Sequence, residues 1–158
     1  MEHVYFLPYE QVRESAEAAF DRHRAALSLL LPFAQIEHIG GTTLPGVRTK
    51  GDLDIQVRVD AAHFDEADRL LSTKFERNEG STRTSTFSSF KDDNLPVPLG
   101  IQLSVIGSEY DDFLRGRELL LASPELAAEY DALKARFESK SMDEYREAKS
   151  AFFERILR

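Results

Sequence analysis

Two aspartates separated by one residue, Asp52 and Asp54, follow the glycine pair of a glycine-threonine turn, Gly40-Gly41-Thr42-Thr43, after a ten-residue gap. On a strand such a pair leaves one face together, with Cβ atoms roughly 6–7 Å apart. Carboxylates that close repel unless a cation lies between them. Magnesium or manganese suits the place, being hard, oxygen-liganded and usually completed by water and phosphate oxygens. The two glycines let backbone approach a ligand with no Cβ in the way, and successive amides in such a turn can cradle an anion. The hydroxyls of Thr42 and Thr43 can add hydrogen bonds, and Arg48 and Lys50 can neutralise phosphate charge. The set suits phosphoryl or nucleotidyl transfer, where catalysis is mostly positioning and charge neutralisation. Each part alone has a plainer reading: a Gly-Gly pair as a simple turn, Asp-x-Asp as a solvated strand face, Arg48 and Lys50 as surface charges, His38 as a packed or ligand-orienting histidine. The order and spacing together carry the specificity.

The elements that must position these residues are legible around them. Leu53, Ile55, Val57 and Val59 alternate with Asp52, Asp54, Gln56 and Arg58, which predicts a strand over 53–59 with one buried and one polar face. Gln35 to Ile39 reads as a short strand that Gly40-Gly41 breaks. Ahead of it, Val12, Ala16, Phe20, His23, Leu27 and Leu30 share one face of a helix spanning Pro8 to Leu31; His23 on that stripe reads as a packed histidine. Asp60 caps a helix running to about Phe75. Glu76 to Phe90 is read as one or two strands with Thr82, Thr84 and Thr86 on a solvated side, and Lys91 to Pro98 as a turn. Leu99 to Ile106 is a strong strand. The remainder is helical: Phe113 to Leu121, a helix capped by Ser123 with Pro124 in its first turn, and a last helix opened by Ser141 or Asp143. The pattern predicts one α/β (α+β) domain over residues 1–158, a small mixed sheet with packed helices and a C-terminal helical tail.

Bulk properties narrow the function. At 158 residues, 42% hydrophobic and 30% charged, the chain has the make-up of an ordinary soluble globular protein. It has no cysteine, which rules out disulfides and thiolate chemistry. No apolar run approaches a membrane span, and the N-terminus lacks the form of a secretory signal; a cytoplasmic location is expected, with no membrane partner. The net charge of −8, with basic residues interspersed among acidic ones, argues against long nucleic acids but permits a nucleotide at a pocket whose sign a divalent cation inverts.

The run His38-Ile39-Gly40-Gly41-Thr42-Thr43-Leu44-Pro45-Gly46-Val47-Arg48-Thr49-Lys50-Gly51-Asp52-Leu53-Asp54-Ile55 resembles the polymerase-beta-type nucleotidyltransferase superfamily, and within it the GrpB family. The later runs Phe113-Leu114-Arg115-Gly116-Arg117-Glu118-Leu119-Leu120, Ser123-Pro124-Glu125-Leu126-Ala127, Tyr130-Asp131-Ala132-Leu133-Lys134 and Tyr145-Arg146-Glu147-Ala148-Lys149-Ser150-Ala151-Phe152 are similar to the same family, so the resemblance covers most of the chain. It implies a nucleotidyltransferase-like fold, with Gly40 and Gly41 on nucleotide phosphates and Asp52 and Asp54 on the metal. Gly41 stands where the family usually has serine. Asp52 stands where it often has an apolar residue. The superfamily's third carboxylate, expected on a later strand, is replaced here by Gln102 or Ser104; Asp92 and Asp93 nearby read first as ordinary turn residues, with substitution for it as the alternative.

Two functions are therefore expected as alternatives. One is a magnesium- or manganese-dependent nucleotidyltransferase moving a nucleoside monophosphate from a nucleoside triphosphate to an unknown small-molecule or protein acceptor. The other is a non-catalytic nucleotide-binding or accessory module that keeps the fold.

Overall fold

The computed structural model describes every residue, Met1 to Arg158. Helix α1 (Tyr9–Leu30) is followed by β1 (Gln35–Ile39), a single 3₁₀ turn (Gly41–Thr43) and β2 (Leu53–Val59). A second short turn (Ala61–His63) leads into α2 (Phe64–Ser72), then β3 (Glu76–Arg77), β4 (Phe87–Asp92) and β5 (Leu99–Val105). Three helices close the chain: α3 (Phe113–Ala122), α4 (Pro124–Phe137) and α5 (Met142–Ile156). None of the helices is long and apolar enough to cross a membrane.

The five strands lie in the order β1-β2-β5-β4-β3, with β2 parallel to β5 and the other pairs antiparallel. The alternation in β2 does what its pattern predicts: Leu53, Ile55, Val57 and Val59 are fully buried. With Ile101, Leu103, Phe90, and Leu27 and Leu31 at the end of α1, they form the core under α1 and α2. A second core joins α3, α4 and α5 to Val4, Leu44 and Val47. The N-terminal segment laces the two regions together, since the Val4 amide donates to Lys140 O and Val4 O accepts from the Ser139 amide at the α4–α5 turn, and Leu7 pairs with Thr49. Ser123 accepts from the Leu126 amide, and Ser141, rather than Asp143, caps α5 by accepting from the Glu144 amide.

The expected strand through Thr82, Thr84 and Thr86 does not form. Residues 78–86 are a loop, in which the Thr84 hydroxyl accepts from the Thr86 amide and Ser81 N bonds back to Asn78 O. Side chains that bond their own backbone compete with a ladder. The loop is anchored instead through Asp68 of α2, which takes Arg77, Arg83 and Ser88. The strand then runs further than expected, to Asp92, which pairs with Leu99 on the core side of the sheet. Asp92 accepts from the Asn94 amide and Asp93 pairs with Lys91 at 3.1 Å. Both are turn residues, and Asp92 lies on the opposite face from Asp54.

Candidate functional site

Register places the turn over the start of β2, because Ile39 pairs with Asp54 and Asp54 pairs with Gly100. Gly40 has φ +82°, a conformation that favours glycine, and a Cβ there would stand 2.5 Å from Asp54 Oδ2. A Cβ on Gly100 would stand 2.8 Å from Asp54 Oδ1. The carboxylate thus lies between Gly40, just past the end of β1, and Gly100 on β5. It is surrounded by protein yet partly open to a cavity of about 760 Å³. Burial raises its pKa; Lys149 opposes that, Asp52 adds to it, and Lys50 and Lys134 oppose it, with no hydrogen bond to settle the charge.

The other residues expected at the site divide into four groups. Asp52 precedes the strand, half exposed, with Lys50 Nζ 3.4 Å from its Oδ2; the pair flanks Asp54 but does not line the cavity. Gly40 and Thr43 do line it, and the Thr43 hydroxyl donates to Gly40 O at 2.7 Å, which fixes the turn. Gly41 backs onto Thr49 and Lys134, and Thr42 is buried with its hydroxyl 2.9 Å from His38 Nε2. His38 stacks on Phe20 of α1, on the core side of the sheet. Burial, and the Arg117 charge after it, push its pKa down to about 4, so the ring is neutral and its role is to hold Thr42. Thr42 is thus a correction to the expected phosphate contact, and Arg48 departs furthest from the expected geometry. Its backbone amide and Nε donate to Asp131 Oδ1 and its Nη2 to Oδ2, so the guanidinium is turned onto α4 and away from the cavity. A bidentate guanidinium–carboxylate pair has a fixed geometry that an ordinary surface charge lacks.

The helical wall supplies residues that local reading did not single out. Arg117 of α3 lines the cavity and donates to His38 O, tying that helix to the strand that carries the turn. Arg146 and Lys149 of α5 line it too, three residues apart and so on one helix face. Lys149 follows Ala148 and lies four residues after Tyr145, both on the apolar stripe of α5, and that adjacency was the available signal. Lys134 is buried beside Gly41 with its Nζ donating to Arg48 O at 2.8 Å; burial, then repulsion from Lys149, bring its pKa down to about 7.

The position of the expected third carboxylate is held by Gln102, which lines the cavity opposite Gln56 in register. No group of three or more His, Cys, Asp or Glu side chains converges closely enough to hold a metal ion. The donor set is thus an unpartnered carboxylate with a second beside it. That fits a hard cation that arrives with phosphate oxygens completing its shell, and not an ion caged by protein alone.

Comparison with known proteins agrees with this architecture. The family model described as GrpB protein matches residues 9–158. A UPF0157 protein from Vibrio cholerae is 33% identical over 156 residues, covering 99% of this chain and 83% of the relative. The crystal structure of the conserved protein GrpB from Enterococcus faecalis superposes with a TM-score of 0.71 at 22% identity, covering 90% of each chain. The Cid1 poly(U) polymerase, in its complex with magnesium and 3′-dATP, superposes with a TM-score of 0.56 at 16% identity, over 81% of this chain and 41% of that one. At such identities the structural likeness speaks for the fold, which is nucleotidyltransferase-like.

Proposed function

The chain belongs to the GrpB family, and from that premise we propose that it is a metal-dependent nucleotidyltransferase, moving a nucleoside monophosphate from a nucleoside triphosphate to a small-molecule or protein acceptor. One observation carries the proposal: Asp54 is held without a partner between Gly40 and Gly100, on the floor of a cavity whose opposite wall bears Lys149. A buried carboxylate with no partner is costly to keep, and a cation brought by a ligand removes that cost. Asp54 and Asp52 would hold magnesium or manganese, which when bound neutralises phosphate charge and orients the triphosphate. Gly40 and Gly41 bring backbone to the phosphates. Thr43 keeps the turn in shape, and Lys149 and Lys50 offset the remaining negative charge.

Calorimetry and thermal shift with the four ribonucleoside triphosphates, each with and without magnesium, test this directly. Magnesium-dependent binding that disappears in Asp54→Asn is the expected result, and absence of binding under every condition would sink the reading. Pyrophosphate release then reports transfer.

The accessory-module reading keeps one observation in its favour, the absence of a third carboxylate or histidine around Asp52 and Asp54. Tight nucleotide binding with no pyrophosphate release toward any acceptor is the result that would select it.

A further inference from the structure

A hydroxyl acceptor must lose its proton as it attacks, so a site that uses one needs a base beside the reacting phosphate. Around Asp54 most candidate bases are engaged or face elsewhere, Lys134 among them through its bond to Arg48 O. Gln102, on the neighbouring strand, is not a base. His38 faces the other side of the sheet with its Nε2 on Thr42. Asp112 lines the same cavity, but from the start of α3 on the helical wall and not from the strands that hold Asp54. Glu154 is paired with Arg158. Asp52 and Asp54 are themselves the proposed cation ligands.

What the cavity offers in greater measure than a base is positive charge. In a chain of net charge −8, one wall carries Arg117, Arg146 and Lys149. Lys149 stands closest in effect to Asp54. Arg146, one turn earlier on α5, has only loose contacts of 3.8 Å to Glu2 and Asp143, and its guanidinium is well exposed at the rim.

We propose that the acceptor is an oxyanion, a phosphate or carboxylate whose attacking oxygen is already ionised at neutral pH, seated at Arg146 beside the nucleotide phosphates. The proposal rests on the nucleotidyl-transfer reading above. An acceptor oxygen forms the new bond to the α-phosphorus of the nucleoside triphosphate. The bond from that phosphorus to its bridging oxygen breaks, and pyrophosphate departs with the electron pair. No proton has to leave the acceptor. The product is a phosphoanhydride from a phosphate acceptor, or an acyl phosphate from a carboxylate.

The full chain, supplied with α-labelled ribonucleoside triphosphates and magnesium, is offered methyl phosphate, succinate or glycerol in separate reactions, with nucleotide binding measured in parallel by calorimetry. A labelled adduct with methyl phosphate or succinate and none with glycerol is expected, and the productive arm tells phosphate from carboxylate. Arg146→Gln should then raise the acceptor KM roughly tenfold or more with kcat little changed, the pattern of lost ground-state binding, while nucleotide affinity holds; Arg146→Lys should recover part of the loss. Transfer to glycerol overturns the proposal and leaves nucleotidyl transfer standing. Nucleotide binding without transfer to any of the three overturns it in favour of the binding module. Absence of nucleotide binding removes the underlying reading and this one with it.

Discussion

The polar face of β2 has two ends that are built on opposite principles. At the far end, Arg58 and Gln56 are closed by Asp111, which reaches over from the turn before α3. Its Oδ1 accepts from Arg58 Nε at 2.8 Å and Gln56 Nε2 at 2.9 Å, and its Oδ2 accepts from Arg58 Nη2 at 2.7 Å and the Gly107 amide at 2.8 Å. Burial works to raise the Asp111 pKa, but these bonds outweigh it and hold the carboxyl below its usual range. At the near end Asp54, two residues before Gln56 on the same face, has no such closure, and its pKa is raised. One carboxylate has its charge satisfied by the fold. The other has its charge left over, in a place where glycines keep the approach clear. The difference separates structural polarity from polarity held in reserve for a ligand, on a single strand and within a few residues.

The largest effect should come from breaking the satisfied end. Asp111→Ala strands the largely buried Arg58 charge and the buried Gln56 amide, so a loss of about 3–5 kcal/mol is expected in denaturant unfolding. Nucleotide affinity of the folded fraction should not change. Gly40→Ala comes next. It puts a Cβ 2.5 Å from Asp54 Oδ2 on a backbone with φ +82°, and a strained non-glycine residue there should cost about 1–3 kcal/mol. Unlike Asp111→Ala, it should also abolish magnesium-dependent nucleotide binding by calorimetry. Stability lost with binding intact at Gly40, or binding lost at Asp111, would collapse the distinction between the two ends.

Asp54→Asn should go the other way. Burial first, then Asp52, raises the folded-state pKa, with Lys149 opposing. A raised pKa means that the stabilisation Asp54 gives is full below the unfolded carboxyl value of about 4 and is lost as pH rises through the folded value. At neutral pH the asparagine variant should therefore be more stable, by about 0.5–2 kcal/mol, the usual size of a stabilising single change. The gap should narrow as pH falls through the folded-state value. A variant less stable than wild type at pH 7 would show that Asp54 is satisfied after all.

Most of the near end was legible in the sequence. The alternation in β2, the glycine turn and the helix caps act between near neighbours, and periodicity reports such contacts faithfully. What could not be read were partners brought together from distant parts of the chain. Asp111 lies 55 residues beyond Gln56 and Asp131 lies 83 beyond Arg48, so the strand pattern treats Gln56 and Arg58 as solvated and Arg48 as free. The misplaced strand at Thr82 to Thr86 has a different cause, since β-branched composition was outweighed by hydroxyls bonding their own backbone. Lys149 went unnoticed because α5 must first fold back over the sheet before its cation faces Asp54.

The smallest effects on stability should separate two cations that sequence distance ranks the wrong way round. Arg48 lies four residues before Asp52, yet its guanidinium is committed to Asp131 at 2.9 Å and its carbonyl to Lys134. Lys149 has no ion-pair partner in the fold but acts on Asp54 more than any other cation does. Arg48→Gln should lose about 0.5–1 kcal/mol, because the pair is part-exposed and screened, and leave nucleotide affinity where it was. Lys149→Met should stay within about 0.5 kcal/mol of wild type and weaken magnesium-nucleotide binding roughly tenfold or more, a loss that grows as salt is lowered because screening no longer masks the missing charge. Reversal of the two results, with Arg48→Gln losing the nucleotide and Lys149→Met keeping it, would return the phosphate site to the loop and leave the helical wall a scaffold.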